Sequence, residues 1–357
     1  MTAINTSTQV ITGGVDTHQV THHAAVVDEQ LRPVADREFP ATAAGYVQLL
    51  DWMASFGLVA SVGVESTGSY GAGLARHLLA AGVDVHEIQR PEKKTRHTVG
   101  KSDALDAYSA ARQAATGTAD GRLLGLPKTT TGAVESIRLI KVPRDSAVKQ
   151  RTAAYSQLRD LVTTAPGAIH DELIGLTGHQ RVRKAAGYRP DPTRLHEPVQ
   201  AAKRGLRDLA RRIQGLDLEI AAADKDLARL TARVVPSLLA MRQVGPQTAA
   251  QLVITAGENI TRMRTEATFA KLCGVAPLPA SSGKQGTRHR LNRGGDRRAN
   301  SMLYLIVVGR MKNHPPTQAY VQRRLAEGKT KPEIIRCLKR HLARGIYRAL
   351  KTDLTTP

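Results

Sequence analysis

The chain has 357 residues, of which 41% are hydrophobic and 23% are charged, proportions that are ordinary for a folded globular protein. Its longest uninterrupted apolar run, Met302–Val308, is far shorter than the ~18 residues that a membrane span needs. No cationic stretch followed by an apolar one begins the sequence, and two cysteines cannot build a disulfide framework or a cysteine zinc site. The composition therefore argues against membrane, secreted and zinc-finger proteins and predicts a cytoplasmic protein of two or three domains.

The charge balance is strongly positive. Lysine and arginine number 52 against 31 aspartates and glutamates, which gives a net charge of +21. In the folded state the basic side chains repel one another unless a polyanion binds them. The charge therefore favours a nucleic-acid-binding protein over a basic but otherwise unspecialised protein. Aromatic residues make up only 3%, which favours contacts from arginine and lysine to a phosphate backbone over repeated base stacking.

Strands and helices alternate in the first third of the chain. Three short β-prone stretches, separated by turns, predict an antiparallel meander, and strands connected through helices follow it. The predicted elements are the strands Gln9–Thr17, Thr21–Asp28 and Pro33–Phe39, the helix Ala41–Phe56, the strand Leu58–Glu65, the helix Tyr70–Ala81, the strand Val83–Ile88 and, after a basic loop at 90–101, the helix Asp103–Ala115. This order, β-β-β-α-β-α-β-α, predicts an α/β domain with the ribonuclease H-like fold.

The middle of the chain has the pattern of a coiled coil. Nine apolar positions spaced alternately by three and four residues form a heptad seam: Leu206, Leu209, Ile213, Leu216, Ile220, Ala223, Leu227, Leu230 and Val234. A weaker seam in Val134–Val162 predicts a second arm, which Pro143 is expected to kink or interrupt. The two arms can pair within one chain or between chains, and the pattern does not decide between them. The stretch Pro166–Pro198, rich in Gly, Pro, His and Arg, is expected to be a basic loop at the tip.

Four carboxylates fall at corresponding ends of the predicted elements. Asp16 and Glu65 end two strands that are neighbours in a ribonuclease H-like sheet, and Asp103 and Asp106 share one face of the helix that packs across them. Carboxylates so close together repel one another unless divalent cations neutralise them, and two Mg²⁺ ions could clamp the attacking and leaving oxygens of a phosphodiester. Singly, the acids have plainer explanations: a strand-end Asp is often a turn residue, and Asp103 could cap its helix.

The last third is predicted to be mostly helical and carries two candidate nucleic-acid contacts. The turn Gln243–Ala249 resembles a helix-hairpin-helix turn, in which backbone N–H groups near Gly245 hold a phosphate, although an ordinary turn between helices has the same pattern.

A polar loop then carries Ser281-Ser282-Gly283, a pattern that is often only a flexible connector. Beside it stand arginines suited to a DNA backbone: Arg288, Arg290, Arg293, Arg297 and Arg298. A serine hydroxyl needs a base or a metal to activate it, and a phosphoserine would retain the bond energy for rejoining strands.

Other chemistry has weaker support. The sequence contains no GxxxxGK[ST] phosphate loop and no GxSxG elbow. His18, His22 and His23 are expected to be surface residues rather than metal ligands.

These motifs resemble one known family. The blocks GVDTH at 14–18, VESTGSY at 64–70 and KSDALDA at 101–107 resemble those of the DEDD-type insertion-sequence transposases, whose N-terminal domain is similar to the RuvC Holliday-junction resolvase. The turn at 244–246, the stretch FAKLCGVAP at 269–277 and SSGK at 281–284 resemble the second domain of the same family. The resemblance spans nearly the whole chain, and its combination of both ends is far more specific than a RuvC-like block alone.

The resemblance implies a recombinase that acts on donor and target double-stranded DNA and is guided by a structured non-coding bridge RNA from its own element. It implies Mg²⁺, with Mn²⁺ as a substitute, at Asp16, Glu65, Asp103 and Asp106. It also implies a covalent serine–DNA link, which the register of residues 274–277 places at Ser282, with Ser281 as the alternative. Lys101 and Lys284 of the matching blocks are expected among the nucleic-acid contacts. Family members act as dimers of dimers in which the acidic cleft of one protomer meets the serine of another, so we expect a homo-oligomer.

Three domains follow from this interpretation: a RuvC-like metal-binding domain at 1–125, a coiled-coil oligomerisation region at 126–234 and a C-terminal transposase domain at 235–357.

Two other functions remain open. A metal-dependent, structure-specific endonuclease without a serine intermediate would leave free cut ends, and a coiled-coil nucleic-acid scaffold would show only salt-dependent binding.

Overall fold

The computed structural model describes residues 9–88, 102–119, 122–279, 289–291 and 294–355. The chain packs as two compact units. The first comprises Met1–Gly132 with Ala256–Thr268, and the second comprises Ala133–Thr255 with Phe269–Pro357. The expected domain boundaries near residues 125 and 234 stay a prediction.

The first unit is built on a mixed sheet. Its described residues form five strands in the order β3-β2-β1-β4-β5. The strands are β1 (Val10–Thr17), β2 (Thr21–Val27), β3 (Pro33–Pro40), β4 (Leu58–Glu65) and β5 (Asp84–Ile88). The first three are antiparallel, whereas β1, β4 and β5 are parallel. The predicted meander and the predicted neighbouring positions of β1 and β4 are thus confirmed, and the sheet is consistent with a ribonuclease H-like fold.

Two helices cover one face of the sheet. They are α1 (Ala43–Ala54) and α2 (Ala72–Ala80). Thr42 caps α1 by accepting the backbone N–H of Gly45, as N-cap threonines commonly do. Apolar side chains from both helices and from the odd-numbered positions of β1 form the core, with Ile11, Leu49 and Leu74 at most 1% exposed.

A third helix, α3 (Asp103–Thr116), packs on the opposite face of the sheet. It approaches closely because the facing residues are small. A Cβ on Gly14 would lie 2.1 Å from the backbone nitrogen of Ala111, and one on Gly63 would lie 2.4 Å from the carbonyl oxygen of Ala110. A short hairpin of β6 (Thr118–Ala119) and β7 (Arg122–Leu123) follows α3.

The second unit begins with two long antiparallel helices. They are α4 (Ala133–Thr163) and α7 (Pro198–Val234), with α5 (Gly167–Leu173), α6 (Gly178–Ala186) and a short 3₁₀ helix (Pro192–Arg194) between them. Leu158 and Val162 of α4 share a core cluster with Leu206 of α7. Ion pairs join the same two helices, Arg144 to Asp224 and Arg151 to Asp217, each at 2.7 Å. The two predicted arms therefore pair within one chain, and coiled-coil geometry and oligomerisation stay predictions.

Pro143 does not interrupt α4, so that part of the expectation is corrected, and a kink at the proline stays a prediction. The helix runs through the proline although its ring removes a backbone hydrogen bond, a loss of ~3 kcal/mol or more in a helix interior. Ile137 before the proline and Ala147 after it are both buried. Packing on both sides of Pro143 therefore maintains the helix.

The tip of the helical pair is also not the loop that its composition suggests. Ile169 and Leu173 of α5 and Val182 of α6 are buried in a cluster with residues of α4 and α7. Thr177 and Gln180 form a reciprocal capping box at the start of α6. Long-range apolar contacts therefore give this Gly- and Pro-rich stretch a helical structure.

The remainder of the second unit is mostly helical. Its elements are α8 (Pro236–Leu239), α9 (Pro246–Ala256), α10 (Glu266–Leu272), the strands β8 (Pro277–Pro279) and β9 (His289–Leu291), and the helices α11 (Arg297–Asn313), α12 (Pro315–Ala326) and α13 (Lys331–Thr355). Among the helices of the described ranges, none is long and apolar enough to cross a membrane.

The segment Ala256–Thr268, distant in sequence, completes the first unit. The Glu258 carboxylate accepts the backbone N–H of Gly132 at 2.9 Å, and the Asn259 side chain donates to the carbonyl of Pro127 at 2.8 Å. Ile260 and Met263 are buried. These contacts tie the segment to residues 127–132.

Candidate functional site

The ends of β1 and β4 place two buried acidic residues on neighbouring strands. Val15 pairs with Val64 in the parallel register, so Asp16 and Glu65 come next to each other on the two strands. Gly14 and Gly63, two residues earlier, contact α3, and the two-residue period of a strand therefore turns Asp16 and Glu65 toward the same face. Asp16 is 5% exposed and Glu65 is 2% exposed. The Thr17 hydroxyl donates to the Glu65 carbonyl at 3.1 Å and joins the two strand ends.

Asp103 and Asp106 lie in the first turn of α3. Ser102 occupies the N-cap position, so Asp103 is a helical residue and not the cap. Negative charge in a first turn is favoured by the helix dipole. About half of the Asp103 side chain is exposed, which leaves this part of the cluster open to solvent.

His18 belongs to the same group, contrary to the expectation that it is only a surface residue. Its Nε2 lies 3.7 Å from a carboxylate oxygen of Asp16, and its Nδ1 lies 4.0 Å from one of Asp103. One ligand atom from each of Asp16, His18 and Asp103 falls within 4.8 Å of the others. The sequence carries only part of this signal. His18 follows Asp16 by two residues, just after the end of β1, but its distance from Asp103 depends on another element.

The two neighbouring histidines have other environments. His22 is fully buried, not at the surface, because its ring stacks on Tyr46 of α1 with centroids 5.6 Å apart. Burial lowers the pKa of His22, and a hydrogen bond to the Thr21 carbonyl opposes this effect in part. His23 pairs with Asp36 at 2.7 Å.

The donor set fits a divalent cation. Carboxylate oxygens are the ligands that Mg²⁺ and Mn²⁺ prefer. Asp16 and Glu65 are neighbouring buried acids, and two such carboxylates are costly to ionise without a compensating positive charge. Asp16, His18 and Asp103 meet at one point, while Glu65 and Asp106 lie on the adjoining strand end and helix turn.

The predicted serine site falls largely outside the described residues. This applies to Ser281, Ser282, Lys284, Arg288 and Arg293, and to Lys101 of the first unit. Arg290 is placed by its backbone on β9.

Two predicted arginine contacts begin helix α11. Arg297 and Arg298 follow Asp296, whose carboxylate caps the helix by accepting the N–H groups of Arg298 and Ala299. The Arg298 side chain is 61% exposed and lies 4.0 Å from Asp145. Both arginines thus stand at a helix N-terminus whose Arg298 and Ala299 N–H groups already bind the Asp296 carboxylate, so a phosphate contact would come from the arginine side chains.

Gly245 lies in an exposed turn that leads into α9, and its carbonyl accepts the N–H of Ala249 at 2.9 Å. Gln243 in the same turn has φ +65°, a left-handed conformation that is uncommon for residues other than glycine. The preceding helix α8 has four residues, shorter than the first helix that the helix-hairpin-helix resemblance suggests. Phosphate binding at Gly245 stays a prediction.

Comparisons with known proteins agree with this arrangement. A transposase profile of the DEDD IS110 type matches residues 13–165, and a profile described as "Transposase IS116/IS110/IS902 family" matches residues 236–322. An insertion element IS110 protein of Streptomyces coelicolor is 32% identical over 116 residues, which are 32% of this chain and 28% of the relative. A protein of Pseudomonas aeruginosa, titled "Probable family 20 transposase", is 27% identical over 174 residues, 45% of this chain and 51% of the relative. The chain thus spans about half the length of these relatives or less.

The two profiles lie at opposite ends of the chain and describe parts of one family. The chain belongs to the IS110 family of DEDD-type transposases.

Proposed function

We propose that this protein is a DNA transposase that cuts and rejoins strands by phosphodiester transesterification. The observation that carries the proposal is the meeting of Asp16, His18 and Asp103 at the end of β1, in a chain with a transposase profile at both ends. Acidic clusters alone are common in proteins without a metal. The family match narrows the chemistry to DNA strand transfer.

Asp16, Glu65, Asp103 and Asp106 are the proposed metal ligands, and His18 is a candidate to join them. Bound cations would neutralise charge that develops on the oxygens of a phosphodiester. The chain itself orients the carboxylates. Pairing of β1 with β4 fixes Asp16 and Glu65, and the close packing of α3 on the sheet brings Asp103 and Asp106 toward them.

Ser282 is the proposed nucleophile, with Ser281 as the alternative. Its hydroxyl oxygen would form a bond to phosphorus while a P–O bond of the strand breaks, and the released strand oxygen would take a proton from water to become a hydroxyl group. The serine proton would pass to a carboxylate of the acidic cluster of another protomer, as the family resemblance implies. Attack by a strand hydroxyl on the phosphoserine reverses the step, so rejoining requires no ATP.

A guide RNA, double-stranded DNA and further copies of the chain are the proposed partners. The net charge of +21 supports polyanion binding. The expected contacts are the arginines of residues 288–298, with Lys101, Lys284 and Gly245. If base pairing with RNA selects the target, the protein itself need not read the DNA sequence.

The decisive experiment traps the covalent intermediate. Protein, RNA transcribed from the flanks of the element, Mg²⁺ and labelled donor DNA are mixed, denatured and separated to detect protein–DNA adducts. We expect wild type and Ser281→Ala to form the adduct, and Ser282→Ala and Asp106→Asn to form none. Omitting the RNA is the control for guidance.

The outcomes separate the competing functions. Loss of the adduct in Ser281→Ala alone would assign the nucleophile to Ser281 instead of Ser282. Cleavage without an adduct, unaffected by Ser282→Ala, would indicate a RuvC-like endonuclease. Salt-dependent binding without cleavage would indicate a nucleic-acid scaffold.

A further inference from the structure

The two ends of the segment that carries Ser282, residues 272–274 and 295–296, contact each other in the second unit. We call this contact the base of the segment. The backbone N–H of Asp296 donates to the carbonyl of Leu272 at 2.7 Å. Gly295 has φ +102°, and a Cβ at this position would lie 2.6 Å from the backbone nitrogen of Gly274. Residues 272–274 and 295–296 are therefore in direct contact, and residues 275–294 connect them in the sequence.

One side chain holds this base from the adjoining helix. The Asn300 amide on α11 donates to two consecutive carbonyls, that of Cys273 at 3.1 Å and that of Gly274 at 3.0 Å. Its own oxygen accepts a hydrogen bond from the Lys339 ammonium of α13 at 2.8 Å. Asn300 thereby connects the first end of the serine segment to a second helix.

The chemistry of the three partners requires an amide at position 300. Carbonyl oxygens only accept hydrogen bonds, and an ammonium only donates them. The amide nitrogen must therefore face Cys273 and Gly274 while the amide oxygen faces Lys339. An aspartate would keep the partner of Lys339 but would present oxygen to both carbonyls.

Lys339 is an unusual group to find in this place. Its side chain is buried, with 6% exposed, and burial lowers its pKa while the nearby charge of Arg336 adds to the effect. Burying an ammonium is unfavourable unless its hydrogen bonds are satisfied. Asn300 supplies such a bond, and in return the lysine fixes the orientation of the amide.

We propose that Asn300 and Lys339 are positioning residues for the serine segment. They hold the Cys273–Gly274 end of that segment against α11. The inference rests on the proposed function of Ser282, because it explains how this serine is aligned and not what it does.

The test compares adduct formation in five variants of the full chain. Asn300→Asp removes both donations to the loop but keeps a partner for Lys339, and Lys339→Met removes the ammonium but keeps the stem. Asn313→Asp, on an exposed residue of the same helix, and Lys351→Met, on an exposed residue of α13, are the matched controls. Duplex DNA affinity and the thermal unfolding midpoint are measured for each variant.

We expect the rate of adduct formation to fall about tenfold or more in Asn300→Asp and Lys339→Met, since small displacements of a reacting group have effects of this size. The controls should stay near the wild-type rate, and DNA affinity should be unchanged. Lys339→Arg, which restores a donor, should recover part of the rate. Equal rates in Asn300→Asp and wild type would overturn the inference, whereas a wild type without any adduct would contradict the proposed function itself.

A chemical probe gives a second readout at the base. The Cys273 thiol is buried, and burial raises its pKa to about 12, with Asp296 adding to the shift. We expect a thiol reagent to label Cys273 faster in Asn300→Asp than in wild type, with labelling of Cys337 unchanged as the internal reference. Unchanged labelling of Cys273 would show that Asn300 does not hold this end.

Discussion

At the scale of single residues, two glycines set the distance between α3 and the sheet. Added Cβ atoms on Gly14 and Gly63 would meet backbone atoms of α3, which cannot move aside as the end of a flexible side chain can. The facing residues Ala107, Ala110 and Ala111 are fully buried. Because Asp103 and Asp106 are carried by the same helix, this close packing also decides where the acids lie.

Gly14→Ala should destabilise the first unit. Overpacking of this kind costs about 1–3 kcal/mol, and we expect that loss in the free energy of unfolding measured with denaturant. Gly215→Ala on α7 is the matched control, because a Cβ there meets nothing within 4 Å. The control should stabilise the helix by about 0.5–1 kcal/mol. Equal effects of the two substitutions would contradict the packing argument.

Mg²⁺ should raise the thermal unfolding midpoint of the wild type, since a ligand at 100 times its Kd adds about 2.7 kcal/mol of stability. Asp16→Asn should lose most of this response.

Asp84→Asn, at an exposed position that begins β5, is the control for this measurement and should respond to Mg²⁺ as the wild type does. A wild-type midpoint that ignores Mg²⁺ and Mn²⁺ would argue against a metal centre. A normal response in Asp16→Asn would exclude Asp16 as a ligand.

At the scale of elements, the helical pair α4–α7 is stabilised by an intrachain core. Ile213 is fully buried in it, while Leu218 on the same helix is 74% exposed. Ile213→Ala should therefore cost about 2–5 kcal/mol in the free energy of unfolding, and Leu218→Ala less than about 0.5 kcal/mol.

Concentration dependence tests the same pairing. Association of whole chains, which the proposed function includes, would itself make the midpoint depend on protein concentration. The discriminating quantity is therefore the cost of Leu218→Ala, which should stay small at every protein concentration if the helices pair within one chain. A midpoint that rises with concentration, together with a large cost for Leu218→Ala, would show that the pair depends on a second copy.

The local sequence pattern correctly predicted where some strands and helices begin or end. The continuous apolar run ending at Glu65 gave the bounds of β4 as observed, and the start of α3 at Asp103 was also correct. Burial decided by distant residues was not predictable in this way. His22 is buried because Tyr46 covers it, and the tip at Pro166–Pro198 is helical because Ile169 and Leu173 reach the core of the helical pair.

The same distinction between local sequence pattern and contacts with distant residues applies to the candidate site. Asp16, Glu65, Asp103 and Asp106 could be proposed from topology, since strand order determines which chain ends are neighbours. His18 was missed because its role depends on its distance from Asp103, which belongs to another element. The contacts of Asn300 with Lys339 have no local signature, since 39 residues separate them in the sequence.

At the scale of the whole molecule, the net charge of +21 should govern DNA affinity. With six to ten phosphate contacts, affinity for duplex DNA should fall about 10³- to 10⁵-fold between 50 and 200 mM salt. Arg298→Gln should reduce the slope of log K against log salt by about 0.9, as expected for one lost contact. Fluorescence anisotropy with a labelled duplex measures both.

Arg32→Gln is the control for the salt experiment. The Arg32 guanidinium is already paired with Asp28 at 2.8 Å, so the substitution should leave the slope of log K against log salt unchanged. A slope near zero for the wild type would contradict phosphate-dominated binding.

The return of residues 256–268 to the first unit has a consequence for biosynthesis. Gly132 and Pro127 are made early, but their partners Glu258 and Asn259 are made more than a hundred residues later. At about 5–20 residues per second, the ribosome needs on the order of 10 s to bridge that interval. The sheet unit is thus incomplete throughout the synthesis of the long helical pair, and its final closure waits for a segment close to the serine. The last segment of the acidic unit is therefore translated after the whole helical pair and before the proposed serine nucleophile and the arginines of residues 288–298.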